Sequence, residues 1–503
     1  MAEFMPLDAF LPESGYRILP FDFSCLDSGD YLLVNLTGEF LRLPATTFHD
    51  FTKKRLTANT DPYWNLKAKQ FLTDSTDSGT AEELLAAKYR TKKSFLDGFT
   101  KLHIFVISIR CNQSCQYCQV SRHNETASSS SDMSVEVLRK SVDLMLHNPS
   151  PSVTMEFQGG ESMLRFDLVK EGVLYANESN KTIGKKITYV ICTNLTILTD
   201  DQLAFFAEHN VQISTSFDGP AHLHNKNRSI CDGDAYSTVT RNIRRAQEVL
   251  GMGAVSALMT TSSESLKYPK EIVDEYLALG LRSMFVRELN PYGYAVKAKK
   301  AVGYSMDAFI IFYRKMLDYI LEVNRSDQTF AEAYTTLVLT KIQTPWPVGF
   351  VDLQSPAGAG LGVVVYNYDG DVYASDESRM LAEMGDTTFR LGNVVEDSYE
   401  NIFFGETMQN IALASCNEAI AGCSDCAYHI YCGADPVRNY VSQRDFYGHR
   451  PTSDFCKKNM SIIKHAFDLI AQAEHDHDLD RILWAWIMRR DVTQMDSHLG
   501  CRN

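Results

Sequence analysis

The sequence predicts an α/β fold: a partial barrel of six β/α units, with a small α+β module in front of it and a cysteine-rich domain behind it. Three observations carry this. Between residues 103 and 290 the β-like runs HIFVISI, VTMEF, ITYVICTN, VQISTSF, AVSALMT and RSMFVREL alternate with helical stretches, the pattern of a parallel sheet with crossover helices. Six such units suit a partial barrel better than a complete eight-unit one. A chain of 503 residues that is 45% apolar can bury two or three cores, so several domains are expected. The 12 cysteines are clustered: three fall between Cys111 and Cys118, and four between Cys423 and Cys456.

Residues 1–82 read as the α+β module, with strands in YRILPFDF and in YLLVNLTGEFLRLP, a turn at Thr37-Gly38, and an amphipathic stretch ending near Phe71. The polar run 73–82 reads as a linker. The barrel is placed at 83–300. Inside it, Ser121 to Asp132, with its four consecutive serines, reads as a mobile loop, and Thr199-x-x-Gln202 is a capping-box pattern opening a helix. A helical connector follows at 301–350, then the cysteine-rich domain at 351–460 with a hairpin turning at Asp369-Gly370, then a helical tail at 461–503.

A formal net charge of -14 disfavours nucleic acid as the main partner, because such binders gather Lys and Arg into a basic face. No apolar run approaches the roughly 20 residues needed to span a bilayer. The start, MAEFMPLDAF, lacks a basic region followed by an apolar stretch, so a cytoplasmic protein without a membrane partner is expected. Cysteines in that compartment argue for thiolate ligands rather than disulfides. The scattered Cys25, Cys192, Cys231 and Cys501 read as small buried hydrophobes, and Cys416 as either that or a replacement ligand.

The first barrel strand runs into Cys111-x3-Cys115-x2-Cys118, with Tyr117 before the last thiol. Three thiolates on one tight loop can hold three irons of a [4Fe–4S] cube and leave the fourth open, whereas zinc would want a fourth nearby ligand. The second strand ends in Gln158-Gly159-Gly160-Glu161. Glycines there allow close backbone approach to a ligand, and the carboxylate can accept hydrogen bonds from a ligand ammonium. Both motifs sit at C-terminal strand ends, where parallel α/β barrels bind ligands.

The cysteine loop, the Gly-Gly-Glu turn and the six β/α units together resemble the radical S-adenosylmethionine (SAM) superfamily over about 103–290. The resemblance implies a radical SAM barrel in which SAM chelates the open iron and is cleaved reductively to a 5′-deoxyadenosyl radical. The run Ser216-Phe217-Asp218-Gly219-Pro220, continuing to Arg228, is similar to the anaerobic sulfatase-maturating enzymes. By that likeness Tyr117, Gly160, Ser216, Arg228 and Leu289 are SAM-binding positions, and the chemistry of the Gly-Gly-Glu turn adds Gly159 and Glu161. Asn194 falls where the family often has Asn-Gly, but Leu195 replaces the glycine.

Cys423-x2-Cys426-x5-Cys432 with Cys456 resembles the SPASM extension, which implies one auxiliary [4Fe–4S] cluster, with structural zinc as the alternative. Full SPASM domains hold a second auxiliary cluster. Here the corresponding positions are near Ser355, at Ser375 of the Gly370-x4-Ser375 turn, and at Pro436, so that second cluster is expected to be absent. Asp376 matches an aspartate that takes the substrate proton in sulfatase maturases, which makes it the catalytic candidate; the alternative is a structural role.

The N-terminal strands resemble the winged-helix clasps that bind leader peptides, against the alternative of an ordinary α+β cap. The stretches DESRMLAEMGDTTFRLGNV and GCSDCAYHIYCGADPV make the whole chain most similar to the His-Xaa-Ser system radical SAM maturases. That resemblance implies an enzyme that abstracts hydrogen from a residue of a ribosomally made precursor peptide, to crosslink, epimerise or oxidise it. The implied partners are that peptide, a flavodoxin- or ferredoxin-like electron donor and a second maturase. A sulfatase-maturase-type activator and a non-enzymatic zinc-binding interaction protein are the rival readings.

Overall fold

A computed structural model describes residues 15–74, 77, 79–231 and 233–495. The first residues and Cys501 lie outside the described residues. The N-terminal module holds an antiparallel sheet of β1 (Phe21–Cys25), β2 (Tyr31–Asn35) and β3 (Phe40–Leu43), packed on the helices Ala45–Thr52 and Asp61–Ala68. The predicted turn at Thr37-Gly38 is present, with Gly38 at φ +77°. Leu72–Asp74 pairs back onto Tyr16–Ile18, so the module closes inside the predicted linker, and a helix, Thr80–Lys92, follows at once. Its apolar core is Leu33, Phe48, Phe51, Leu66 and Phe71. The module is docked on the C-terminal domain: the Tyr431 hydroxyl donates to Gly38 O at 2.8 Å, and Phe40 meets Phe467 edge-on at 5.1 Å.

The six barrel strands are β4 (Leu102–Ser108), β5 (Ser152–Gly159), β6 (Lys186–Thr193), β7 (Gln212–Ser216), β8 (Val255–Thr260) and β9 (Ser283–Arg287). They pair in parallel in chain order. Period-2 alternation decides what each face meets. On β4, Phe105 and Ile107 enter the main core, whereas Ile104 and Val106 pack with Val363, Val365 and Tyr373. The capping box predicted at Thr199 is formed with Gln202.

The sheet runs past both ends of the predicted barrel, to ten strands. Beyond β9 lies Ala331–Glu332, in parallel. Beyond β4 lies β10 (Val363–Tyr366), also parallel, then antiparallel β11 (Asp371–Tyr373) and β12 (Arg390–Asn393). The hairpin at Asp369-Gly370 is thus as expected, with Gly370 at φ +89°, but it extends the barrel's own sheet. That placement brings the residues after β11 to the barrel mouth.

Ser121 to Asp132 is held more firmly than a mobile loop. His123–Asn124 pairs with Arg110–Cys111, and the carboxylate of Asp132 accepts from Arg110 Nη2 at 2.6 Å and Arg165 Nη1 at 2.8 Å. The helices Met306–Arg325, Ala333–Gln343, Asp454–Ala473 and His477–Met488 pack together behind the barrel through Met316, Ile320, Val338, Ile463 and Leu483. Among the described residues no helix is long and apolar enough to cross a membrane.

Candidate active site

A cavity of about 350 Å³ lies at the C-terminal ends of the barrel strands. Cys111, Cys115 and Cys118 line it together with Gly160, Ser216 and Arg228. The cysteine loop is clamped against the segment that follows β7: Ser114 N donates to Ser229 O at 2.8 Å, and Gln116 N to Asn227 O at 3.2 Å. The Cys111 sulfur accepts from Gln113 N at 3.4 Å. Burial pushes the Cys115 thiol up to about 11 and that of Cys111 higher still, so metal loading must displace protons from neutral thiols.

The two glycines serve a purpose the sequence did not reveal. A Cβ on Gly159 would stand 2.0 Å from Ser108 O, and one on Gly160 would stand 2.3 Å from Arg110 O. They let the end of β5 press onto the backbone entering the cysteine loop, where Gly160 N donates to Ser108 O and Glu161 N to Arg110 O, both at 2.8 Å. Both glycines also line the cavity, but Glu161 does not. Its buried carboxylate accepts from Thr193 Oγ1 and Asn194 N at 2.7 Å and from Met163 N at 3.0 Å. Glu161 therefore ties β5 to the end of β6, with protein donors in the place expected for a ligand ammonium. Leu289 also lies outside the lining; it packs beside Tyr117, and its N–H donates to the Tyr304 hydroxyl at 2.8 Å.

Leu195, which replaces the expected glycine, adopts φ +58° and is fully buried. The left-handed backbone costs a non-glycine residue about 1–2 kcal/mol, whereas losing a buried Leu side chain costs about 2–5 kcal/mol. Burial wins, so Leu195→Gly is expected to lower stability by about 1–3 kcal/mol, read as a lower denaturation midpoint of the cluster-loaded protein.

Asp218, in the run that follows β7, organises the far wall. It is fully buried and accepts from the Tyr117 hydroxyl, from Asn227 Nδ2 at 3.1 Å and from Thr260 N at 3.2 Å. Arg228 Nε stands 3.2 Å from Asp218, and its guanidinium lies 5.3 Å from the Tyr117 ring centroid. His224 accepts from Asp218 N at 3.3 Å, and burial pushes it down to about 4, so it is neutral near pH 7.

Asp376 begins the helix Asp376–Ala382, capped by Ser375, and lines the cavity while accepting from Arg379 Nη2 at 2.9 Å. A second cavity of about 220 Å³ adjoins the first and shares Glu156, Gln158, Arg287 and Asp376 with it. Glu377 faces this second cavity 3.3 Å from Arg287 Nη2. The sequence reading missed Glu156, Cys192 and Arg287 as wall residues. A carboxylate inside the apolar run VTMEF was the available signal, since a strand buried on both faces seldom carries a charge without a use.

Cys423, Cys426, Cys432 and Cys456 are brought together away from the barrel mouth, close enough that charge on Cys432 would raise the thiols of Cys423, Cys426 and Cys456. Burial pushes the Cys423 and Cys426 thiols up to about 11. Asn459 Nδ2 lies 3.5 Å from the Cys432 sulfur. Cys416 sits apart from this set, beside Glu418 and Lys93, with its thiol 3.5 Å from Ala412 O.

Residues 105–276 match the radical SAM superfamily. The chain carries a radical SAM domain. It is 24% identical over 371 residues, covering 71% of this chain and 93% of the other, to a cysteine-type anaerobic sulfatase-maturating enzyme of Clostridium perfringens. Its fold is similar to native anSMEcpe with bound AdoMet, with a TM-score of 0.63, 19% identity, and coverage of 75% of this chain and 100% of that one. It is also similar to Streptococcus suis SuiB bound to precursor peptide SuiA, with a TM-score of 0.52, 13% identity, and coverage of 88% and 99%. The radical SAM domain makes this protein an enzyme, with SAM and an iron–sulfur cluster as its cofactors.

The cavity fits that pair. Three thiols converge on its wall, and Thr215 Oγ1, buried in the lining, has no hydrogen-bond partner among the described residues. Among the described residues no three His, Cys, Asp or Glu side chains converge on a single-ion site; the fit rests on the shared cavity and the chemistry of the thiol set.

Proposed function

We propose that this protein is a radical SAM maturase acting on a ribosomally made precursor peptide, abstracting hydrogen from one residue to crosslink, epimerise or oxidise it. What supports the reading most is the adjacency of two cavities: the thiol-lined one at the barrel mouth shares Glu156, Gln158, Arg287 and Asp376 with a second one walled largely by residues of the C-terminal domain, which puts space for a substrate side chain beside the reacting centre. Bound at Cys111, Cys115 and Cys118, the cluster with SAM supplies a 5′-deoxyadenosyl radical. The chain itself positions and shields. Ser216, Gly160 and Arg228 face the SAM space, and Asp218 fixes Arg228 and Tyr117 in place. SAM and the peptide, once bound, would complete the shielding from water that a primary carbon radical requires. Cys423, Cys426, Cys432 and Cys456 would hold one auxiliary cluster able to take the substrate's surplus electron, and a flavodoxin- or ferredoxin-like protein would deliver the electrons for cleavage. A second maturase would complete the system.

Asp376 is the candidate base, since it is the carboxylate after β11 that faces the thiol-lined cavity. General acid–base contributions are typically about 10²–10⁴-fold in rate. Asp376→Asn should therefore lower modified product at least a hundredfold by that measure, while 5′-deoxyadenosine still forms in the presence of peptide, because hydrogen abstraction precedes the proton step. Iron content and the denaturation midpoint control for the loss of the Arg379 pairing. Product at the normal rate would reduce Asp376 to a helix-starting residue.

The module formed by β1 to β3 is read as a peptide clasp. Leu26 N donates to Asp30 O, so by antiparallel alternation the N–H groups of Phe21, Phe23 and Cys25 point away from β2 along the sheet's open edge. An added peptide strand could pair there. Deleting the module would uncover Tyr431 and Phe467, so a single substitution tests it more cleanly. Cys25→Pro removes one outward donor at an edge position, which tolerates proline. It should weaken binding of the precursor peptide and leave peptide-independent SAM cleavage by dithionite unchanged. Unaltered peptide affinity would leave the module an ordinary cap.

A further inference from the structure

The second cavity stands where the SPASM likeness would place another cluster: Ser375 and Pro436 are in its wall in place of thiolates. It is walled instead by carboxylates, namely Glu156, Asp352, Asp376, Glu377 and Asp435. Arg287 pairs with Glu377 at 3.3 Å and Arg379 with Asp376 at 2.9 Å. Glu156, Asp352 and Asp435 have no Lys, Arg or His within ion-pair distance among the described residues. Gln158 donates to Glu156, and Asp435 accepts from Arg438 N at 2.8 Å as the cap of the helix Pro436–Gln443. A further feature lies behind the wall, near three of these carboxylates. Tyr292 is fully buried (0% exposed), its hydroxyl has no hydrogen-bond partner among the described residues, and the charges it feels include those of Asp435, Glu377 and Asp352.

Arg287 acts on Glu156, and Arg438 and Lys458 act on Asp435, only from beyond ion-pair distance, so these buried carboxylates must either hold protons or receive a cation. Burial first, then the neighbouring carboxylate Asp352, pushes Glu377 up to about 7, and burial pushes Asp435 up to about 6. The volume of about 220 Å³ equals the share of some seven waters at about 30 Å³ each, room for one long side chain. We propose that this cavity is a subsite for one positively charged side chain of the peptide, an ammonium, guanidinium or imidazolium group, held between Asp352, Asp435 and Glu156 beside the reacting centre. This rests on the maturase reading above, and it makes the lost cluster's place a determinant of substrate choice.

The test uses the full chain with its clusters reconstituted and SAM present. Binding of the N-acetyl amides of lysine, arginine, histidine and norleucine is measured by calorimetry, the last being the uncharged control. At least one cationic amide should bind tenfold or more tighter than the norleucine amide, and the best of the three assigns the head group. Asp352→Asn and Asp435→Asn keep size, and the second keeps a side chain that can cap its helix. Each should cut the preference about tenfold, the worth of one charge-assisted hydrogen bond. Variants are compared at equal iron content, and Glu156→Gln replaces any that fails to load. Equal binding of all four amides, binding of none, or a preference that survives every variant would overturn the subsite. Release of 5′-deoxyadenosine from SAM without peptide is recorded on the same samples. Its absence would sink the maturase reading alone, and loss of amide preference the subsite alone.

Discussion

Replacing Cys111, Cys115 and Cys118 together by alanine is expected to abolish 5′-deoxyadenosine formation and to leave about four irons per chain, from about eight in the intact protein. The expectation follows from how the two thiol sets are carried. The first sits on a loop clamped to the segment after β7, and its sulfurs line the barrel-mouth cavity. The second is assembled by the 423–432 turns and the first turn of the helix Asp454–Ala473, where Ser453 caps at Cys456 N. Neither set borrows a ligand from the other, so emptying one leaves the other's protein scaffold in place. Iron analysis and the electron paramagnetic resonance of the reduced protein measure this directly. About twelve irons in the intact chain would show that a third cluster is bound despite Ser375 and Pro436.

The part of the fold legible in the sequence was the part governed by local rules. Period-2 strands alternating with capped helices gave six parallel strands in chain order, and Asp369-Gly370 and Thr37-Gly38 turned the chain where turn chemistry requires. What could not be read was set by long-range pairing. Nothing near Val363 says that β10 will join β4 from the other side, nor does Leu72–Asp74 announce its return to Tyr16–Ile18. The same divide runs through the site. The cysteines, Ser216 and Arg228 were nameable because their spacing is local to one loop or one strand end. The structural side of Glu161 and the two glycines was not legible, because their partners Ser108, Arg110 and Asn194 lie elsewhere in the chain. The carboxylate cavity was not legible at all. It exists only because β5, the end of β9, the helix after β11 and the 352 and 435 turns meet in space.

The end of β9 carries a second long-range construction. Glu288, directly after Arg287, is buried and accepts from Arg438 Nη1 and Lys458 Nζ, both at 2.6 Å. Arg438 belongs to the helix Pro436–Gln443 and Lys458 to the helix that begins beside Cys456, so one barrel carboxylate fastens both C-terminal helices to the sheet. Removing one partner of a buried ion pair leaves an uncompensated charge and typically costs about 3–5 kcal/mol. Glu288→Ala strands two such cations, so it should reach the upper end of that range and lower the unfolding midpoint of the cluster-loaded protein. Replacing Glu288, Arg438 and Lys458 together by methionine should do less damage than the single change, since no charge is then left buried. The pH dependence has a definite sign. Burial alone would raise the carboxyl, but Lys458 and Arg438 hold it well below the usual range in the folded protein. Its contribution is therefore complete above the unfolded value of about 4.3 and is lost as pH falls from there toward the folded value. Glu288→Gln should accordingly lower stability at neutral pH while flattening its loss between roughly pH 4 and the acid limit. An acid profile that Glu288→Gln leaves unchanged would mean that other carboxylates fasten the C-terminal domain.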